Sequence, residues 1–330
     1  MSRTIVAVVV CLLLLVAGLG SWSLLRASPA PLESLAVGME TTAVNSLILI
    51  ADARGFFAAN GLNVTIREYS SGLEATNGML AGEVDLAMAA EFVLVGRAFA
   101  DQEVSAIASI DRFRHIHIVA LKDRGIANPT DLTGRRIGVP RRTAAEFYLG
   151  RFLDLNNMSV TQVTLVDLPP AEAGNALATG DVDAVVTWQP FVRAIQDRLG
   201  RRVMTWPAQA GQASYCLALA TPGWLGEHPE RVNRFLAALG QAEDLLARDP
   251  AGARAIVQER LGYDDATMAG LWHEHQFSIS LDQSLVIAME DEARWMIANN
   301  LTSGRTAPDF RRHLFVQGLE AVRPGSVKLL

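Results

Sequence analysis

From Leu35 onward, short apolar runs alternate with stretches whose apolar residues recur at three- and four-residue spacing, the pattern of strands interleaved with helices. Residues 35–39 read as a strand, and the polar turn 40–45 leads into a helix reaching about residue 60. A strand follows at 64–69, where apolar Val64 and Ile66 alternate with polar Thr65 and Arg67. The turn Ser70-Ser71-Gly72 precedes a helix over 74–80, stopped at Gly82, and a short apolar strand at 84–89. Strands and helices in this order predict parallel βαβ units.

The same order recurs roughly a hundred residues later, as strand 136–139, helix 143–156, strand 160–166, helix 171–178 and strand 182–187. The residues repeat as well: AGEVDLA at 81–87 matches TGDVDAV at 179–185, and NGLNVT at 60–65 matches NNMSVT at 156–161. Two related α/β lobes are the expectation. β runs at 117–121 and 215–220 adjoin polar, glycine-containing connectors. The predicted division is lobe I at 33–121 and 222–330, lobe II at 127–215, and hinge connectors at 122–126 and 216–221. The tail reads as helical, with helices from Pro229, over 251–261, 264–274 and 283–299, and is expected to pack on lobe I.

The segment 135–149, RRIGVPRRTAAEFYL, is the sharpest single stretch. A strand, a tight turn and a helix start meet there, so free backbone N–H groups and the positive helix end face one point. Thr143 is the expected N-cap, and Glu146 completes a capping-box pattern.

Composition narrows the class. The chain has 330 residues, half of them apolar, and a formal charge of −6, which argues against a nucleic-acid partner. Its two cysteines, Cys11 and Cys216, allow no disulfide framework and no CxxC site. Arg3 followed by the apolar run 5–19 is the layout of an export signal, and the uncharged stretch continues far enough to serve as a membrane anchor. Residues 1–30 are therefore expected to be a signal peptide or N-terminal anchor, with the body of the protein outside the cytoplasmic membrane.

The segments ADARGFFAANGLNVTI, GEVDLAMAAEF, NPTDLTGRRIGVPRRTAAEFYL, GDVDAVVTWQPF and PGWLGEHPERVNRFLAAL, in this order, resemble the periplasmic solute-binding proteins of ABC importers, in the nitrate/sulfonate/taurine and thiamine-pyrimidine-like classes. The resemblance implies a two-lobed periplasmic-binding-protein fold (type II), each lobe a mostly parallel sheet flanked by helices. It also implies a small, anionic ligand in the cleft, delivery to a membrane permease, a monomer, no cofactor and no catalysis.

Ligands of open α/β sheets bind beyond the carboxyl ends of strands. The loops at those places carry Thr41, Thr42 and Asn45; Ser70 and Ser71; Ala90 and Glu91; Arg141, Arg142 and Thr143; and Trp188, Gln189 and Pro190. Arg142 is the expected oxyanion ligand, since a guanidinium matches an oxygen pair. Relatives in the resembled family commonly have glycine there, so Arg142 either narrows the pocket or points outward. Glu91 is expected to face away or to hold a donor group such as an amine. Trp188 offers a stacking face and one N–H, and Gln189 an amide. The pairs His115/His117 and His273/His275 lack a third metal ligand in the pattern. The chain contains no GxSxG or P-loop, and no glycine-rich dinucleotide fingerprint follows a strand. Alternatives are an enzyme on the same fold, of pyrimidine-synthesis or menaquinone-pathway type, and a membrane-tethered sensor.

Overall fold

A computed structural model describes residues 31–330. The expected signal or anchor at 1–30 lies outside the described residues. Among the described residues no helix is long and apolar enough to cross a membrane.

Twelve strands form two sheets: β1 (Glu33–Met39), β2 (Leu62–Glu68), β3 (Leu86–Ala90), β4 (Ser105–Phe113), β5 (His117–Leu121), β6 (Arg136–Val139), β7 (Thr164–Asp167), β8 (Ala184–Thr187), β9 (Val203–Pro207), β10 (Ser214–Ala220), β11 (His275–Asp282) and β12 (Val327–Lys328). The first sheet has the order β12-β11-β4-β10-β3-β1-β2, and the second β7-β6-β8-β5-β9. Each contains the same parallel nucleus. β1 lies between β2 and β3 with Val37 opposite Leu86, and β6 lies between β7 and β8 with Ile137 opposite Ala184. These central strands are covered on both faces, which is why they read as near-continuous apolar runs.

The antiparallel strands correct the expected division. β5 pairs with β8 and β9 in the second sheet, while β10 lies between β3 and β4 in the first. The chain therefore crosses between sheets at 114–116 and 208–213, not at 122–126 and 216–221. An apolar strand beside a crossover can join either sheet, and periodicity does not say which. Gln209 ties the two crossovers together: its Oε1 accepts from the Ile116 N–H at 2.9 Å and its Nε2 donates to the Phe113 carbonyl at 3.1 Å.

Other elements differ locally. The helix expected to reach residue 60 breaks at Gly55 (φ 68°), between α1 (Ser46–Ala53) and a short turn at Phe56–Ala59. The strand expected at 160–166 begins later, because Ser159 and Gln162 close a capping box around a 3-10 turn. The tail is not wholly helical. The helix expected at 264–274 ends at Trp272, and β11 follows with Phe277, Ile279 and Leu281 buried on one face. β11 pairs with β4, which anchors the tail in the first sheet. The long helix Pro229–Arg248 packs there too, with Phe235 stacked on Phe57 at 5.7 Å.

Candidate functional site

Loops after β1, β2 and β3 of the first sheet and after β6 and β8 of the second converge on one cavity. Two helices start at its wall: α2 (Gly72–Leu80), capped by Ser71, and α4 (Ala144–Leu155), capped by Thr143. The first N–H groups of a helix have no intrahelical acceptor, so those of Gly72, Leu73 and Ala144 are donors at the cavity. α2 can approach this closely because residue 72 is glycine. A Cβ there would lie 2.7 Å from the Ala89 Cα of β3.

Side chains complete the wall. Thr42 is 2% exposed, and its Oγ1 has no partner among the described residues. Ser71 Oγ accepts from the Glu74 N–H at 3.3 Å. Asn45 shapes the loop, donating to the Glu40 carbonyl at 2.8 Å and accepting from the Cys216 thiol at 3.6 Å. Ala90 contributes apolar surface at the end of β3. Trp188 crosses the cleft: its Nε1 donates to Glu40 Oε1 at 3.1 Å, and its ring stacks on His115 with planes 9° apart. Burial pushes the Glu40 carboxyl up to about 8; the Trp188 hydrogen bond opposes this and the nearby Glu68 charge adds to it. His115, whose pKa burial holds well below the usual imidazole range, faces the cavity as a neutral ring.

Six predicted residues thus meet at this cavity: Thr42, Asn45, Ser71, Ala90, Thr143 and Trp188. Thr41 and Ser70 line a second cavity, together with Glu68, Tyr69, Pro170 and Phe191. Glu40 and Thr42 belong to both walls.

Pro190 lines the second cavity too, while Arg141, Arg142, Glu91 and Gln189 reach neither. Arg142 is exposed, with φ 60°, a left-handed conformation that glycine adopts at least cost. The charge of Arg141 is also paired within the turn. Glu146 accepts from Arg141 Nε at 2.7 Å and from the Arg142 N–H at 2.6 Å, so its carboxylate fills the cradle expected for a ligand. The expected capping box is accordingly replaced: Glu146 reaches residue 142 rather than the N-cap N–H, while Thr143 Oγ1 accepts from the Ala145 N–H at 3.3 Å. Glu91 is fully buried behind the wall, accepting from Ser214 Oγ at 2.7 Å and the Tyr215 N–H at 2.9 Å. Gln189 caps the following helix through the Arg193 N–H at 3.1 Å.

Glu40, Met88, Phe113, His115 and Cys216 also line the cavity, though none was a sequence candidate. Glu40 could have been found, since it opens the loop after β1. Phe113 and His115 could not, because β4 and the crossover after it were not apparent. His275, fully buried, bonds Asp111 through Nδ1 at 2.5 Å, and His117 lies 3.7 Å from Glu274. Among the described residues no three His, Cys, Asp or Glu side chains are grouped to hold a metal.

The geometry has clear relatives. The alkanesulfonate-binding protein SsuA of Xanthomonas axonopodis, solved with MOPS bound, aligns over 91% of this chain and all of its own, with a TM-score of 0.73 and 20% identity. The desulfurization enzyme DSZB aligns over 89% of this chain and 99% of its own, with a TM-score of 0.63 and 18% identity. In sequence, the taurine-binding periplasmic protein of Escherichia coli is 24% identical across 66% of this chain and 68% of its own length. A putative binding protein of Brucella abortus is 24% identical across 68% and 70%. The fold is that of the periplasmic binding proteins, mixed α/β with two sheets. The family description "NMT1/THI5 like" matches residues 43–253. Two strand–helix halves closing on one cavity, and a match over most of the chain, make this protein a member of the NMT1/THI5-like family.

Proposed function

We propose that the chain is the extracytoplasmic solute-binding component of an ABC importer, capturing a small solute with an oxyanion end and delivering it to a membrane permease. What supports this reading is the inner cavity, lined by helix starts from both sheets, whose first N–H groups have no intrahelical acceptor, beside the free Thr42 hydroxyl. Such donors hold an anion without a cationic side chain. The oxyanion expected at Arg142 is reassigned to Gly72, Leu73, Ala144, Thr42 and Ser71. Named relatives that bind aliphatic sulfonates and taurine support this class of solute. Export to the periplasm and a monomeric state belong to the same reading.

Enzymes also occur among the relatives, including the pyrimidine phosphate synthase of Aspergillus parasiticus. No observation favours that alternative here. The Cys216 thiol at the wall is pushed well above its usual pKa by burial, and it donates to Asn45, so it is not poised as a nucleophile.

Thermal shift and calorimetry against nitrate, taurine, alkanesulfonates, bicarbonate, pyrimidines and small carboxylates test the reading. A solute at 100 times its dissociation constant stabilises by about 2.7 kcal/mol, readily seen as a melting shift. Turnover of a member of the panel, in place of simple saturable binding, would favour the enzyme.

A further inference from the structure

His117 and Glu274 stand on opposite sides of the first crossover. His117 opens β5 of the second sheet, and Glu274 directly precedes β11 of the first. The Arg114 N–H donates to the Glu274 carbonyl at 2.9 Å, which fixes the Glu274 backbone to the first-sheet end of the crossover. Its side chain reaches past residues 115 and 116 to the imidazole, with Oε1 at 3.7 Å from His117 Nε2. Both side chains are mostly buried, at 14% and 18% exposure, so salt screens the contact poorly.

The tautomer follows from the other ring nitrogen. His117 Nδ1 lies 2.9 Å from the His115 carbonyl, which can only accept, so Nδ1 carries the proton. The neutral ring then turns the Nε2 lone pair toward the carboxylate, and the two do not bond. A second proton makes Nε2 a donor and the ring a cation. Glu274 lacks such a donor, for its Oε2 is buried with no partner among the described residues. The other ionisable groups around the pair do not substitute. His115 is held neutral by burial, His275 is committed to Asp111, and His273, Arg112 and Arg114 are exposed. The strand partners of His117, Thr187 and Pro207, carry no charge.

We propose that protonation of His117 latches the two sheets in the arrangement described, in which Trp188 also bridges the cleft, through an ion pair with Glu274 across the crossover. The latch favours closure below the imidazole range and is lost as pH rises through it. It weakens again on the acid side, where Glu274 takes a proton. Burial moves that carboxyl upward, and the neighbouring imidazoles, His117 first, pull it back. Solute is then held at mildly acidic pH and released as pH rises, a consequence that rests on the solute-binding reading above.

Small-angle scattering of the full chain without solute tests the latch apart from solute binding. The compact-to-open ratio should rise at least about fivefold from pH 8 to pH 6, the lower end of ordinary coupling between two sites. His117→Gln keeps a donor for the His115 carbonyl but gains no charge, and Glu274→Met keeps the length without the carboxylate. Each should abolish the rise. Equal dimensions at the two pH values overturn the proposal, as does a rise that survives in both variants. Long-range proton–nitrogen imidazole spectra of the unsubstituted protein give a check that needs no variant. The neutral ring should carry its proton on Nδ1, and a proton on Nε2 overturns the latch. A solute found by the panel, with dimensions that ignore pH, would sink the latch and leave the solute-binding reading standing.

Discussion

At Arg142 a side chain with the right chemistry is carried by a backbone that turns it away. A left-handed conformation costs a non-glycine residue about 1–2 kcal/mol, and here the Arg142 N–H is held by Glu146. Arg142→Ala should therefore leave the affinity for an anionic solute within about twofold of the parent, well under the cost of a lost charged hydrogen bond, as read by calorimetry. A loss of tenfold or more would return Arg142 to the site. Gly72 behaves in the opposite way, for it has no side chain and still sets the site. Gly72→Ala forces a Cβ against the β3 backbone, so it should cost about 1–3 kcal/mol in urea unfolding and weaken binding by shifting the start of α2.

Between elements, the informative contact is the buried acid pair of α3 (Glu91–Phe99) and α5 (Gln283–Ala298). Glu91 bonds Ser214 and Tyr215, whereas Glu292 has no other partner than the Glu91 carboxyl among the described residues. Burial raises both carboxyls, Glu292 further because the neighbouring Glu91 adds like charge. A carboxyl raised in the folded state holds a proton there that the unfolded chain has released. Its contribution to stability is complete below the ordinary carboxylate pKa and is lost as pH rises through the folded value. Melting temperature should thus fall from pH 5 to pH 8, with Glu40 contributing in the same direction. Glu292→Gln should flatten that slope, and an unchanged slope would locate the pH dependence elsewhere. At the crossovers, Gln209→Ala strands the buried Ile116 N–H and should cost about 1–3 kcal/mol, measured by urea unfolding.

For the whole molecule, two short crossovers join the sheets while the Trp188–Glu40 hydrogen bond spans the cleft between them. A few residues at such connections can absorb a closing motion. Trp188→Phe keeps an aromatic ring beside His115 and removes the bond to Glu40. The expected result is weaker solute affinity by about 0.5–1.5 kcal/mol, the net worth of one hydrogen bond, with a larger radius of gyration in solution scattering. Unchanged affinity and dimensions would mean that this bond does not hold the cleft.

Hydrophobic patterning by itself determined the parallel nuclei β2-β1-β3 and β7-β6-β8, because both-face burial writes the inner strands as apolar runs and half-burial writes the edge strand β2 as an alternation, and the repeated G-[ED]-V-D exposed their kinship. Strand ends then pointed to Thr42, Ser71, Thr143 and Trp188, since a parallel strand's carboxyl end faces a crevice whatever its neighbours are. Tertiary structure alone decided which sheet claimed β5 and β10, because an antiparallel strand finds its partner by long-range pairing. It also decided the electrostatics of the cleft. Glu146 pairs with Arg141, Glu91 withdraws behind the wall, and Glu40 comes to the cavity wall, for the charge a ligand meets depends on which side chains are already paired and which way the backbone aims them.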